Sequence, residues 1–256
     1  MRRARLWAIP LLAYASLVGV WELVAALNRQ PGTLWPSPQT VFWTIVHDPR
    51  TFWLNGIATM KEAALGFAGG VVLAVCLAVL AQGLPPLRDS LYRLSLTLYS
   101  IPLIALAPLL VTWVGVGLWT KVIIAILASF FPVLVNTTQA LRASDPRALE
   151  LMSVLGASHV QTLVRVRLPQ ALPAVFASFR IAAPAAIIGA MLAEWVGAER
   201  GLGILLLFSM FSYKVPQIWA TLIVASLLSF ASYYLFEVLG RILFAWHASA
   251  RRVGVA

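Results

Sequence analysis

The sequence predicts an all-α integral membrane protein, and three observations carry that prediction. Apolar side chains make up 61% of the 256 residues and charged ones only 11%, against about 45–50% and about 25% in soluble domains. The mean hydropathy is +0.88. The apolar residues also fall into runs long enough for the roughly 20 residues that a bilayer-spanning helix needs, while the charges collect between the runs. A soluble fold of this size cannot hide so much apolar surface, because its exterior must stay largely polar. An ordinary soluble enzyme, a disordered chain and a secreted disulfide scaffold are thereby excluded.

Six spans organise the chain as a single transmembrane domain over residues 1–256, at about 6–27, 56–82, 91–114, 119–141, 171–196 and 218–246. The first follows the basic start Met1-Arg2-Arg3 and runs well past the small-residue site Ala13-Tyr14-Ala15, so it reads as an uncleaved helix rather than a signal peptide. Residues 31–54 are more polar and rich in proline, and they hold a short amphipathic piece, 40–47, that reads as surface-lying. Gly66, Gly69 and Gly70 give the second span a smooth face for close helix packing; Pro85-Pro86 ends it. Pro102 and Pro108 fall inside the third span, where each removes a backbone hydrogen bond and bends a helix. The turn Gly115-Val116-Gly117 leads to the fourth span, and the longest polar stretch, 142–169, precedes the fifth. The glycine-rich segment after the fifth span contains an apolar island, 204–211, which fits either a short outer helix or a surface loop. The sixth span exceeds what a bilayer needs, so it tilts or projects.

Charge placement sets the orientation. The net charge is +10, but the cations decorate the ends of spans rather than one soluble face, which excludes a nucleic-acid role. Eleven arginines (Arg2, Arg3, Arg5, Arg88, Arg93, Arg142, Arg147, Arg165, Arg167, Arg251 and Arg252) fall on the side that holds both termini, against four cations (Arg29, Arg50, Arg200 and Lys214) on the other. The excess of Lys and Arg marks the cytoplasmic side, so both termini are expected there. The lone Cys76 forms no disulfide within the chain and reads as a packing residue. His47, His159 and His247 are scattered, and the chain carries neither H-E-x-x-H nor a phosphate-binding G-x-x-x-x-G-K-[ST] loop.

The stretch 142–169 has the punctuation of two short helices. Asp145 is placed to cap the first and Pro146 suits its first position. Gly156 suits the left-handed residue that closes it. Ser158 is placed to cap a second helix, 159–167, which is expected to end near Leu168-Pro169. Leu149, Met152, Val160, Leu163 and Val166 would be exposed among charges. Composition and spacing leave two roles open, a connector lying on the inner leaflet or a docking surface for a cytoplasmic partner.

The order Glu150, six residues to Gly156, ten to Val166, then Leu168-Pro169 resembles the E-A-A-x3-G-x9-I-x-L-P loop of ABC-importer permeases. Leu151 and Met152 stand where the family has two alanines, and Val166 replaces isoleucine. Further segments are similar to the branch that imports nitrate, sulfonates, taurine and thiamine or riboflavin precursors. They are Tyr99-Ser100-Ile101-Pro102 with Ala105 to Leu109, Phe130-Phe131-Pro132 with Asn136-Thr137, and Ala193 to Ala198 with Gly201-Leu202-Gly203. The resemblance implies the inner-membrane permease subunit of a binding-protein-dependent type I ABC importer, in a bacterial plasma membrane. It implies the type I permease fold with a cytoplasmic coupling helix, docked on an ATPase through Glu150, Leu151, Met152, Gly156, Val166, Leu168 and Pro169. The implied partners are cytoplasmic ATPase subunits holding ATP and Mg, an extracytoplasmic solute-binding protein and a second permease copy. No cofactor and no catalysis are expected on this chain, and no metal site.

Four residues are expected along a translocation path: the bending prolines Pro102 and Pro108, and the charged Arg180 and Glu194 that bracket the fifth span. Arg180 and Glu194 are fourteen residues apart, about 21 Å along a helix, and so cannot pair within it. Arg180 is expected to snorkel and Glu194 to sit near the outer end, where a carboxylate costs less. A gradient-driven secondary transporter is the rival reading, but it would want several intramembrane ionisable groups and internal repeats. An intramembrane enzyme would need paired catalytic groups at membrane depth, whereas Asp48, Asp89 and Asp145 fall between spans.

Overall fold

The computed structural model of the chain describes residues 2–28, 30, 33–83, 90, 93, 97 and 100–244, with the backbone alone for 2–11. Every regular element among the described residues is helical. In order these are α1 (Arg2–Leu27), α2 (Pro38–His47), α3 (Pro49–Leu80), α4 (Leu103–Val114), α5 (Leu118–Arg142), α6 (Pro146–Val154), α7 (His159–Thr162), α8 (Leu168–Glu194), α9 (Leu202–Phe211) and α10 (Val215–Leu243). A 3-10 turn, Ala81–Gly83, follows α3, and a π-type turn, Leu163–Arg167, joins α7 to α8. Among the described residues, four helical stretches are long and apolar enough to cross a membrane: Pro49–Leu80, Leu118–Arg142, His159–Glu194 and Val215–Leu243. The first expected span coincides with α1, and α4 forms the second half of the third. Most of the earlier part of that span (Tyr99 included), Pro85-Pro86, Arg88, Arg251, Arg252 and the last two residues of 218–246 lie outside the described residues.

Three boundaries differ from the sequence reading, each for a local reason. First, α3 begins at Pro49, seven residues before the expected start, because Asp48 caps it by accepting the Thr51 N–H at 3.2 Å and Pro49 takes the first helical position. The hydrogen bonds from Thr51, with Arg50 nearby, hold the Asp48 carboxyl below its ordinary pKa. At 32 residues, α3 is about 48 Å long and overshoots a hydrocarbon core of about 30 Å. Second, Pro102 does not bend a helix but precedes one: it is the extended N-cap of α4, and only Pro108 is inside. Third, the helix entering Leu168-Pro169 does not stop there. The chain widens into the π-type turn, the Leu168 N–H reaches back to the Leu163 carbonyl, and α8 continues to Glu194. Pro169 is the second residue of α8, directly after this wide turn. The island after the fifth span resolves as the helix α9.

The core is built by α3, α5 and α8, and it packs through small residues. A Cβ on Gly66 would overlap Ala125, one on Gly70 would overlap the Ser129 hydroxyl and sit 2.9 Å from the Ile126 carbonyl, and one on Gly189 would stand 2.8 Å from the Ala128 Cβ. Such contacts let helix backbones approach closely, and dispersion then replaces the hydrophobic driving force that lipid does not supply. Around this centre, Ala63, Ala125, Ala186, Ile187 and Ala190 are buried together. Phe67 of α3, Phe176 and Phe179 of α8 and Phe236 of α10 form an aromatic cluster that seats α10 on the core. On the other flank Trp21 of α1 stacks on Trp219 of α10 at 5.1 Å. Their indole N–H groups donate to the carbonyls of Pro36 and Leu34, pinning the link that leads to α2. The amphipathic α2 buries Val41 against Phe52 and Ala220 and leaves Phe42, Trp43 and Val46 exposed.

Candidate coupling surface and transport path

The loop 142–169 is held in shape by its own side chains and by ties to the bundle. Asp145 Oδ1 accepts the Arg147 N–H at 3.0 Å and Pro146 opens α6. Gly156 has φ +66, a left-handed conformation that suits glycine. It closes α6 by donating to the Ser153 carbonyl at 3.0 Å, while Ala157 donates to Met152 at 2.9 Å. Ser158 and Gln161 then form a reciprocal capping box at the start of α7. The ties are Gln170 Oε1, which accepts the Asp145 N–H at 2.9 Å, and Gln82 Oε1, which accepts from Arg167 Nη1 at 3.1 Å. The loop is therefore a rigid bracket fixed to the ends of α3 and α8.

The bracket presents an apolar surface, but not the one expected. Of the five predicted apolar contacts only Val160 is exposed; Leu149, Met152, Leu163 and Val166 are half-buried. The exposed set is Leu151, Val154, Leu155, Val160 and Val164, with Val154 at 86%. Glu150, Gly156 and Pro169 are exposed beside them, while Leu168 is half-buried.

The path candidates are not brought together. Pro102 and Pro108 sit exposed on α4, which packs by Ala107 and Leu110 on Ile124 and Ala193. Arg180 faces α10, where Nη1 pairs with Glu237 Oε2. The other oxygen of Glu237 accepts from Arg241 at 2.8 Å. Pairing, rather than snorkelling alone, compensates this guanidinium. Glu194 ends α8, and it is buried within the bundle at 0% exposed. Its Oε1 accepts the Thr59 hydroxyl at 2.6 Å and its Oε2 accepts the Gly203 N–H at 2.5 Å.

Sequence reasoning missed the groups around Glu194. Glu62 of α3 lies beside it and forms an ion pair with Lys121 of α5, the two side chains only 5% and 14% exposed. Asn55 Oδ1 accepts the Gly201 N–H, and Thr59 Oγ1 the Leu202 N–H, both at 2.8 Å. A signal was present: Asn55, Thr59 and Glu62 are spaced by four and three residues, which makes a polar stripe on one helix face. That face continues into Gly66 and Gly70, the packing face of α3.

An all-helical bundle with several membrane-long helices, small-residue packing and a braced apolar bracket between two of its core helices has the architecture of an integral membrane protein. The chain belongs to the family of binding-protein-dependent transport system inner membrane components, whose pattern matches residues 66–246. It is the permease of an ABC importer. It is 34% identical to the formylaminopyrimidine transport permease protein ThiX of Halalkalibacterium halodurans, over 96% of this chain and 98% of that one. Identity to the riboflavin transport system permease protein RibX of Chloroflexus aurantiacus is 31%, over 91% of this chain and 88% of the relative. In fold it is similar to a crystal structure of an amino acid ABC transporter with histidines, with a TM-score of 0.64 and 18% identity over 78% of this chain and 97% of the other.

Proposed function

We propose that this permease works as a two-fold pair, with six spans per copy and both termini in the cytoplasm, and that the bracket 142–169 receives the drive of a separate ATPase holding ATP and Mg. The observation that carries this reading is the bracket itself: two capped helices around Gly156, tied to α3 and α8 and showing the apolar edge Leu151, Val154 and Leu155. A rigid link of this kind transmits a tilt of a docked partner to the core helices. In that reading Glu150, Leu151, Met152, Gly156, Val166, Leu168 and Pro169 belong to the coupling region, the first four on the docked face and the last three at its junction with α8. A solute-binding protein delivers the substrate on the opposite side. The relatives named for formylaminopyrimidine and riboflavin favour a vitamin or vitamin-precursor heterocycle over nitrate or a sulfonate.

Glu150→Lys or Gly156→Pro is expected to leave the protein inserted and the bundle intact but to abolish coupling. Gly156 has open space around it, so the second change acts through its left-handed backbone, which proline cannot adopt. Copurification with the ATPase and binding-protein-stimulated ATP hydrolysis check this directly. Full stimulated hydrolysis in both variants would remove the coupling assignment. Binding of formylaminopyrimidine, riboflavin and taurine to the partner solute-binding protein tests the substrate class.

A further inference from the structure

The helix α9 has no local cap. Its N-cap, Gly201, has no side chain, and its backbone stands at φ +143. A helix start leaves its first N–H groups without intrahelical partners, and here three consecutive ones are taken by side chains from two other helices. Asn55 of α3 takes Gly201, Thr59 of α3 takes Leu202, and Glu194 at the end of α8 takes Gly203. The Thr59 hydroxyl has one proton and a choice of acceptors, the Asn55 carbonyl at 3.2 Å and Glu194 Oε1 at 2.6 Å. The nearer acceptor makes the stronger bond, so the hydroxyl links the Glu194 carboxyl and the helix start in one chain. The approach leaves no room for a larger residue: a Cβ on Gly201 would overlap the Glu194 carboxyl, and one on Gly203 would overlap the Met191 carbonyl. Leu202, Ile204, Leu206 and Ser209 are buried below this junction, whereas Phe208, Phe211 and Tyr213 at the far end are exposed.

We propose that Glu194 is a positioning residue, a latch that acts through Thr59 to lock the start of α9 onto α3 and α8, so that the segment 201–211 moves as one body with the core helices through the transport cycle. The Glu194 carboxyl sits at the start of α9, where the Gly203 N–H donates to it, and its bonds are shielded from competing water. Its burial excludes direct contact with solute in this conformation. The importance of the latch for transport rests on the importer reading above; the docking of α9 does not.

The test uses the full chain, purified in detergent, with Cys76→Ser as background. Ser209→Cys places a reporter thiol on the buried face of α9, and Ser178→Cys, in a separate protein, places one in the buried part of α8; both serines are 2% exposed. Modification by a charged, water-soluble methanethiosulfonate is followed over time. Glu194→Ala is expected to raise the Ser209→Cys rate at least tenfold and to leave the Ser178→Cys rate within twofold. Glu194→Gln keeps one acceptor oxygen and is expected to restore the rate to within threefold of the background. Thr59→Val removes the bridging hydroxyl but leaves the carboxylate, and should release α9 as Glu194→Ala does; it carries the test if the alanine variant does not fold. An unchanged Ser209→Cys rate in the folded variants, or equal rises at both reporters, would overturn the latch. Labelling needs neither ATP nor solute, so a failed transport assay leaves its result standing and the two readings fail separately.

Discussion

Lys121→Met isolates the buried ion pair between α3 and α5. In the native chain Lys121 Nζ holds Glu62 Oε1, while Glu62 Oε2 is buried without a hydrogen-bond partner. Glu62 is 4% exposed and lies beside a second buried carboxylate, Glu194. Removing the ammonium therefore strips Glu62 of the cation that its Oε1 holds, beside a second buried carboxyl. Breaking such a pair from one side costs about 3–5 kcal/mol, roughly two to four orders of magnitude in the folding constant. Methionine fills most of the lysine volume, so little of the loss comes from a cavity. Replacing both partners removes the stranded charge, so Glu62→Gln with Lys121→Met is expected to recover most of the stability. Unfolding of the purified protein in mixed micelles, read by far-UV circular dichroism for all four members of the cycle, measures the coupling. A loss below about 1 kcal/mol in Lys121→Met, or a double variant no more stable than the single, would refute the reasoning.

Two further outcomes test the packing and the helix start. Gly70→Ala should destabilise by about 1–3 kcal/mol, because the new Cβ meets backbone of α5, whereas Gly69→Ala meets only the movable end of Ile126 and should cost less; melting midpoints of the two variants compare them. The Asp48 carboxyl is held below its ordinary pKa by Thr51, so its contribution is full above the unfolded value of about 3.9 and is lost as pH falls through the lower folded value. Asp48→Asn should flatten that acid limb in a pH series of melting midpoints.

Whatever depends on composition and on neighbours along the chain is legible in the sequence. Membrane residence follows from the apolar runs. The bracket is legible because each of its signals is local: Asp145 and Ser158 bond to amides two or three residues away, and Gly156 supplies a backbone conformation that other residues resist. The glycine face of α3 is equally a matter of spacing, and the helices it meets pack on it as a smooth surface allows.

How the buried ionisable groups are compensated depends instead on the packed bundle. A carboxylate near the end of an apolar run looks like an interfacial group when its neighbours in sequence are all that is known. Glu194 is instead buried, because α9 folds back so that its Gly203 amide, with Thr59 from 135 residues away, replaces water around the carboxyl. Arg180 finds Glu237 and Lys121 finds Glu62 across helix interfaces in the same way. The helix running through Leu168-Pro169 belongs to this class too, since the π-type turn that admits the proline is braced by Gln82 at the end of α3. Periodicity says which residues share a face; only the packed bundle says which faces meet, and in a medium without water that meeting decides whether a charge is tolerated.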